Sequence, residues 1–184
     1  MPETKHITGA TQYATSADFH RIFNEEMEGL YLLSFLLTAD HKNAEQCFVS
    51  GIEDSIKGNP VFKEWARSWA RRVIIQNAIR VINPRLMEKN TASIPDGGGK
   101  TQAAERAEIA AVLALEPFER FVYVMSVLER YSDHDCSILL GCARLEVTAA
   151  RIRSVQQLGS VVRFPLMQQL NVGSEKPELQ LAPR

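Results

Sequence analysis

The segment YSDHDCSILLGCARLEVTAARIRSV (residues 131–155) carries the clearest folding signal in the chain. Ser132 is a good helix cap, and Asp133 and Asp135 suit the positive end of the dipole of the helix that follows it. Gly141 allows the tight turn that joins the two helices of a helix-turn-helix motif. The segment therefore predicts two helices joined by a short turn.

The second of these helices carries basic and small polar side chains near its N-terminal half, as entry into the DNA major groove requires. The candidate contacts to DNA are Arg144, Thr148, Arg151 and Arg153. The residues predicted to anchor this helix in the core are Val147, Ala150, Ile152 and Val155. An αα-hairpin that packs in a bundle and never meets DNA explains the same pattern, so both interpretations stay open.

Helical periodicity continues through most of the chain. Apolar residues recur at three- and four-residue steps over residues 17–38, which is typical of one amphipathic helix. Similar patterns predict helices over 43–56, 61–82 and 107–130, and Pro117 marks a helix start in the last of these. The apolar face of that last helix is predicted to contain Phe118, Phe121, Val122, Met125 and Leu128. Since we find no β-hairpin signal, the predicted fold class is all-α.

Composition divides the chain into two small helical domains. Residues 85–106 contain SIPDGGGK and little apolar periodicity, which indicates a flexible linker. The predicted boundaries are a flexible N-terminus at 1–15, a three- to four-helix bundle at 16–84, the linker at 85–106, a helix-turn-helix domain at 107–165 and a flexible tail at 166–184.

The net charge of −1 over 184 residues hides an uneven distribution. Residues 1–59 carry 4 basic and 9 acidic groups, residues 60–106 carry 9 and 4, and residues 107–184 carry 8 and 9. The chain contains three cysteines and no apolar run long enough to span a membrane. We therefore expect a cytoplasmic protein with two different partner surfaces.

The basic middle of the chain combines arginines with aromatic side chains, a pattern that suits single-stranded DNA because bases stack and phosphates are neutralised. The candidate contacts are Trp65, Arg67, Arg71, Arg72, Gln76, Asn77 and Arg80. Trp65 and Trp69 lie four residues apart on the predicted helix, so burial of both rings in the core is an alternative.

Signals for catalysis, cofactors or metals are weak. The run DGGGKT (residues 96–101) lacks the first glycine of a phosphate-binding loop, because Ile94 stands at that position. Cys136 and Cys142 do not have the spacing of a zinc ligand pair. We expect no metal, no cofactor and no enzymatic activity.

The order of the segments resembles that of bacterial RNA polymerase sigma factors of the short extracytoplasmic-function type. The first part matches the family pattern from Phe19 to Glu45, including Leu30-Tyr31 and Leu37-Thr38. FKEWARSWARRVIIQNAIRVI (residues 62–82) and LALEPFERFVYVMSVLERYSDHDCSILLGC (residues 113–142) are similar to later family motifs. The resemblance covers about residues 18–83 and 107–160.

This resemblance implies a subunit that directs core RNA polymerase to promoters. Its first domain (region 2) would hold the melted downstream promoter element, and its second domain (region 4) would read the upstream element. The polymerase-binding residues would be Glu45, Gln46, Val49 and Glu53. The implied partners are core RNA polymerase, promoter DNA and an anti-sigma regulator, with no membrane partner.

Two alternatives remain open at this point. One is a helix-turn-helix regulator that does not dock on polymerase. The other is a protein-interaction module that binds an anti-sigma-like regulator, with its basic faces merely solvated.

Overall fold

Eight α-helices make up most of the part of the chain that the structure, a computed structural model, describes: residues 12–85 and 102–171, with side chains over 12–85 and 107–159. The one extended pairing in these ranges is an isolated antiparallel bridge between Tyr13 and Phe62, whose rings stack 4.9 Å apart. The protein is all-α, as the sequence predicts. None of the described helices is both long enough and apolar enough to cross a membrane.

Two helices, rather than the single helix predicted over 17–38, open the first half of the protein. Helix α1 (Ser16–Glu25) begins with a capping box between Thr15 and Asp18, and α2 (Met27–Thr38) follows it. The prediction of one helix is wrong because Glu26 departs from helical geometry, with φ −107° and ψ 19°. Periodicity does not detect such a break, since the apolar spacing runs on across it.

Helices α3 and α4 complete the first half. Helix α3 (His41–Lys57) is capped by Asp40, which accepts a hydrogen bond from the Asn43 backbone N–H at 2.8 Å. A short 3₁₀ turn (Lys63–Trp65) precedes α4 (Ala66–Ile82). Helix α4 ends at Asn83, which adopts the left-handed conformation that asparagine tolerates well.

The second half contains α5 (Gln102–Leu113), α6 (Pro117–Tyr123), α7 (Asp133–Leu140) and α8 (Arg144–Asn171). Pro117 occupies the first turn of α6, as predicted. The single helix predicted over 107–130 is instead broken between α5 and α6, and a wide π-helical turn (Val124–Leu128) follows α6. Leu128 is 44% exposed, so its predicted place on the buried face is wrong: it is the last residue of the π turn, which changes the helical phase.

Most of the predicted linker lies outside the described residues, as do residues 1–11 and 172–184 of the predicted flexible ends. The linker prediction also included the start of α5 at Gln102, and the tail prediction included the end of α8 at Asn171. The division into two domains stays a prediction.

Both halves contribute to one hydrophobic cluster. Leu30, Leu37 and Ile74 of the first half and Phe121 and Met125 of the second are fully buried in it. Helix α2 lies at the junction and contacts both α5 and α6. The described halves are therefore packed against each other through apolar side chains.

Arg120 joins the two halves at the centre of this junction, where it is 5% exposed. Its Nε donates to the Leu37 carbonyl at 3.3 Å, and its Nη1 donates to the carbonyls of Leu113 and Leu115 at 3.3 and 3.1 Å. The last carbonyls of a helix lack partners within that helix, and Arg120 supplies donors at the ends of α2 and α5. Burial lowers the pKa of Arg120 to about 10.

Candidate nucleic-acid interface

Helices α7 and α8 form the predicted helix-turn-helix. The Ser132 hydroxyl accepts a hydrogen bond from the Asp135 backbone N–H at 3.1 Å, which caps α7 as predicted. Gly141 ends α7 with φ +62°, a left-handed conformation that costs a glycine little. Ala143 precedes α8 and has no side-chain oxygen that could cap it. Its backbone N–H instead donates a hydrogen bond to Glu146 Oε2 at 2.7 Å.

Among the described side chains of α8, which end at residue 159, the buried ones are Val147, Ala150 and Ser154. Two predicted anchors are wrong, since Ile152 is 50% exposed and Val155 is 48% exposed. The physical reason is helical phase: residues spaced three and four apart from Val147 reach the core, and Ile152 points to the other side.

Two of the four candidate DNA contacts on α8 are held by Asp133, at the start of α7. Arg151 donates to this carboxylate from Nε at 3.1 Å and from Nη2 at 3.0 Å, and the Thr148 hydroxyl donates to it at 2.7 Å. The hydrogen bonds from Arg151, followed by the one from Thr148, lower the pKa of Asp133. Arg153 donates to Glu119 at 2.6 Å, whereas Arg144 is exposed at the first turn of α8.

The arginines of α4 are also engaged by carboxylates. Arg67 pairs with Glu26 and, at 2.5 Å, with Glu25. Arg71 pairs with Glu26 at 3.5 Å and, through Nη1, with Glu129 of the second half at 2.7 Å. The basic face of α4 is thus largely neutralised within the molecule.

The C-terminal part of α4 is tied to α3 through Asp54. Arg80 donates to this carboxylate at 2.5 Å and the Asn77 amide donates to it at 3.1 Å, which lowers the Asp54 pKa, mainly through Arg80. Asn77 is only 5% exposed and also donates to the Val73 carbonyl, so its side chain lies in the core rather than on a DNA-accessible surface. Gln76 is half-buried.

The two tryptophans are placed differently. Trp65 is 57% exposed in the 3₁₀ turn before α4, whereas Trp69 is half-buried within α4, with its Nε1 buried and without a hydrogen-bond partner among the described residues. Burial of both rings is therefore wrong for Trp65, because the chain is not yet α-helical there. A cavity of about 350 Å³ between the halves is lined by Phe62, Trp65, Trp69, Arg72 and Tyr131.

One exposed face of α3 contains all four candidate polymerase contacts: Glu45, Gln46, Val49 and Glu53. Val49 is 54% exposed, and Glu53 forms an ion pair with Lys57 at 3.0 Å. The face is an acidic surface with an apolar centre.

The sequence patterns did not identify three residues that lie between the two halves: Arg120, Glu129 and Tyr131. Glu129 meets Arg71 across 58 positions of sequence, and Arg120 meets Leu37 across 83. Local patterns contain no signal for such contacts, since tertiary packing alone creates them. Among the described residues, no group of three or more histidine, cysteine or acidic side chains is arranged to hold a metal ion.

Comparison with known proteins finds no matching family model. Two curated relatives, protein nucleotidyltransferase YdiU of Clostridium botulinum strain Hall and of strain ATCC 19397, are each 29% identical over 96 residues. These alignments cover 48% of this chain and 20% of each relative, so the chain spans about a fifth of the length of the curated relatives it matches.

Among solved structures, the chain is similar to the sigma factor RpoE in complex with the anti-sigma factor NepR from Bartonella quintana. The TM-score is 0.47 at 16% identity, over 79% of this chain and 97% of that one.

Proposed function

We propose that this protein is a non-enzymatic, cytoplasmic transcription factor of the sigma type, which directs core RNA polymerase to promoters. The observation that carries the proposal is the helix-turn-helix of α7 and α8, with a capped first helix, a left-handed glycine turn and Arg144 exposed on the first turn of the second helix. Such a second helix suits entry into the major groove of an upstream promoter element.

The first half supplies a second DNA surface in this proposal. Trp65 offers an exposed ring for base stacking, and Arg67, at the start of α4, is 54% exposed. Exposed ion pairs are worth roughly 0–1 kcal/mol, so DNA phosphates can replace Glu25 and Glu26 as partners of Arg67. In this proposal, the surface binds the melted strand of the downstream element.

The exposed face of α3 is the proposed contact with core polymerase. Glu45 and Glu53 flank Val49 at steps of four residues, which places an apolar contact between two charges on one side of the helix. A depletion of charge at the centre with a polar rim is typical of protein interfaces.

A second candidate function is a protein-interaction module that binds an anti-sigma-like regulator. The observation in its favour is the outward face of α8, where Leu145 is 79% exposed beside the half-exposed Ile152 and Val155. An apolar face of this kind marks a protein contact more often than a DNA contact. A helix-turn-helix regulator that does not dock on polymerase remains a third alternative: it would bind DNA, as a sigma factor does, but would lack the polymerase contact.

Reconstitution with core RNA polymerase tests the proposal. We expect the chain to co-purify with core polymerase and to support transcription from the promoter of its own gene region. Failure to co-purify refutes the sigma role, whereas co-purification without salt-sensitive promoter binding favours the interaction module.

The variant Arg67→Gln tests the downstream DNA surface, with Arg21→Gln as its matched control. Both arginines are exposed and paired with carboxylates, but Arg21 lies on α1 and pairs with Asp18. We expect Arg67→Gln to weaken binding to a forked promoter oligonucleotide severalfold and to lower the salt slope by about one, the value for one lost phosphate contact. Equal binding by the two variants contradicts the assignment.

A further inference from the structure

The side of α8 that points away from the core is a narrow apolar stripe. Leu145 is 79% exposed and Ile152 is 50% exposed, and the half-buried Ala149 lies between them at steps of four and three residues. At about 100° per residue, all three lie within about 40° of the direction opposite the buried Val147. The part of α8 that is directed away from the rest of the helix-turn-helix therefore carries no charge.

The side chains that can donate hydrogen bonds lie beside this stripe rather than on it. Asp133 of α7 accepts hydrogen bonds from the Thr148 hydroxyl at 2.7 Å and from Arg151 Nη2 at 3.0 Å. Arg144 is exposed, and Arg153 is 56% exposed although it is paired with Glu119. By the same angular step, Arg144 and Arg153 fall on opposite flanks of the stripe.

The chemistry of the stripe limits which base feature it can recognise. Leucine, alanine and isoleucine side chains have no hydrogen-bonding atom, so they cannot read the donors and acceptors of a base edge. In the major groove, thymine also presents its C5-methyl group, which is read by apolar contact. Arginines on both flanks can contact the phosphates on either side of the groove, which positions the helix without reading sequence.

We propose that the apolar stripe of α8 reads thymine methyl groups in the major groove of the upstream promoter element. Leu145 and Ile152 are its specificity-determining residues, and Arg144 and Arg153 are phosphate contacts. The inference rests on the proposed function, since it requires α8 to enter the major groove.

The charge around the stripe favours DNA over the protein partner of the second candidate function. Residues 144–159 of α8 carry three arginines and one glutamate, an excess of positive charge that complements phosphates. The stripe is one side chain wide, as suits a single helix lying in a groove.

Removal of the thymine methyl groups from the DNA tests the inference directly. The upstream half of the promoter from the chain's own gene region is synthesised as two duplexes, one with thymine and one with deoxyuridine, which keeps the hydrogen-bonding edge. The full chain, alone and with core RNA polymerase, is titrated against both duplexes by fluorescence anisotropy. The test variant is Leu145→Ala/Ile152→Ala. The matched control is Ile138→Ala, because Ile138 is 60% exposed but lies on α7.

We expect wild type to bind the thymine duplex at least about fourfold more tightly than the deoxyuridine duplex, the ratio that corresponds to about 0.8 kcal/mol for one buried methyl group. Ile138→Ala should keep this ratio. The double variant should bind the two duplexes within about twofold of each other, because it retains little apolar surface to cover a methyl group. Its salt slope should equal that of wild type, since no phosphate contact is lost.

Three results would overturn the inference. If wild type binds both duplexes equally, or if the double variant keeps the wild-type ratio, methyl reading is refuted while the proposed function stands. If the double variant loses the same affinity for both duplexes, the stripe contacts a protein instead. If neither duplex is bound, with or without polymerase, the proposed function fails together with the inference. The wild-type ratio needs no variant, so it decides the matter even if a substitution disturbs folding.

Discussion

Replacement of Arg120 by methionine should destabilise the whole chain, because this side chain serves both halves at once. Its three hydrogen bonds end on carbonyls of Leu37, Leu113 and Leu115, which lie at or just beyond helix ends in a buried junction. Methionine keeps the length of the side chain but supplies no donor, so three carbonyls lose their partner.

The magnitude follows from these three bonds. Each contributes about 1 kcal/mol net, and removal of a buried charge offsets part of the loss, so we expect Arg120→Met to lower the free energy of unfolding by about 2–3 kcal/mol. At roughly 2–4 °C per kcal/mol for a chain of this size, the melting temperature should fall by about 4–12 °C.

Urea unfolding followed by circular dichroism measures this difference, with Arg153→Met as the control. Arg153 is 56% exposed and forms an ion pair with Glu119, so its replacement should cost clearly less than that of the buried Arg120. Arg120→Lys should fall below wild type as well, since one ammonium cannot reproduce the planar fork of the guanidinium. If Arg120→Met unfolds within about 0.5 kcal/mol of wild type, the carbonyls do not depend on Arg120 and the reasoning is refuted.

Three further outcomes are expected. The pKa of Asp133 is lowered in the folded state. The pairing of Asp133 with Arg151 therefore stabilises the fold above the ordinary aspartate pKa of about 4, and this stabilisation is lost as the pH falls through the folded-state pKa. The urea midpoints of wild type and Asp133→Asn should differ at pH 7 and converge toward pH 2. Gly141→Ala places a Cβ at φ +62° and should lower the free energy of unfolding by about 1 kcal/mol, measured in the same way. Burial raises the pKa of Cys136 to about 12, so a thiol reagent at pH 8 should label the half-buried Cys142 first and Cys136 only after unfolding, as mass spectrometry of timed samples would show.

Local chemistry allowed the sequence to predict the helix-turn-helix. Ser132, Gly141 and Pro117 act through the backbone of their own neighbours, and each is found where the residue type predicts it. The all-α class follows from the same short-range spacing of apolar residues.

Contacts between distant parts of the chain could not be predicted from the sequence. An arginine with no partner nearby in the sequence is normally exposed, which favours Arg71 as a DNA contact, but its partner Glu129 stands 58 residues away. The apolar character of Ile152 and Val155 predicts burial in the core, whereas the phase of α8 is set by Val147 and Ala150. The DNA and polymerase contacts stay predictions.

The π-helical turn (Val124–Leu128) fixes the angular phase of the residues that directly follow it, before α7 begins. Such a turn holds one residue more than an α-helical turn, and one residue rotates a helix by about 100°. Deletion of a single residue there would redirect Glu129 and Tyr131 away from α4. The direction of these two side chains is therefore encoded by the length of one helical turn, separately from the residues that build the helix-turn-helix.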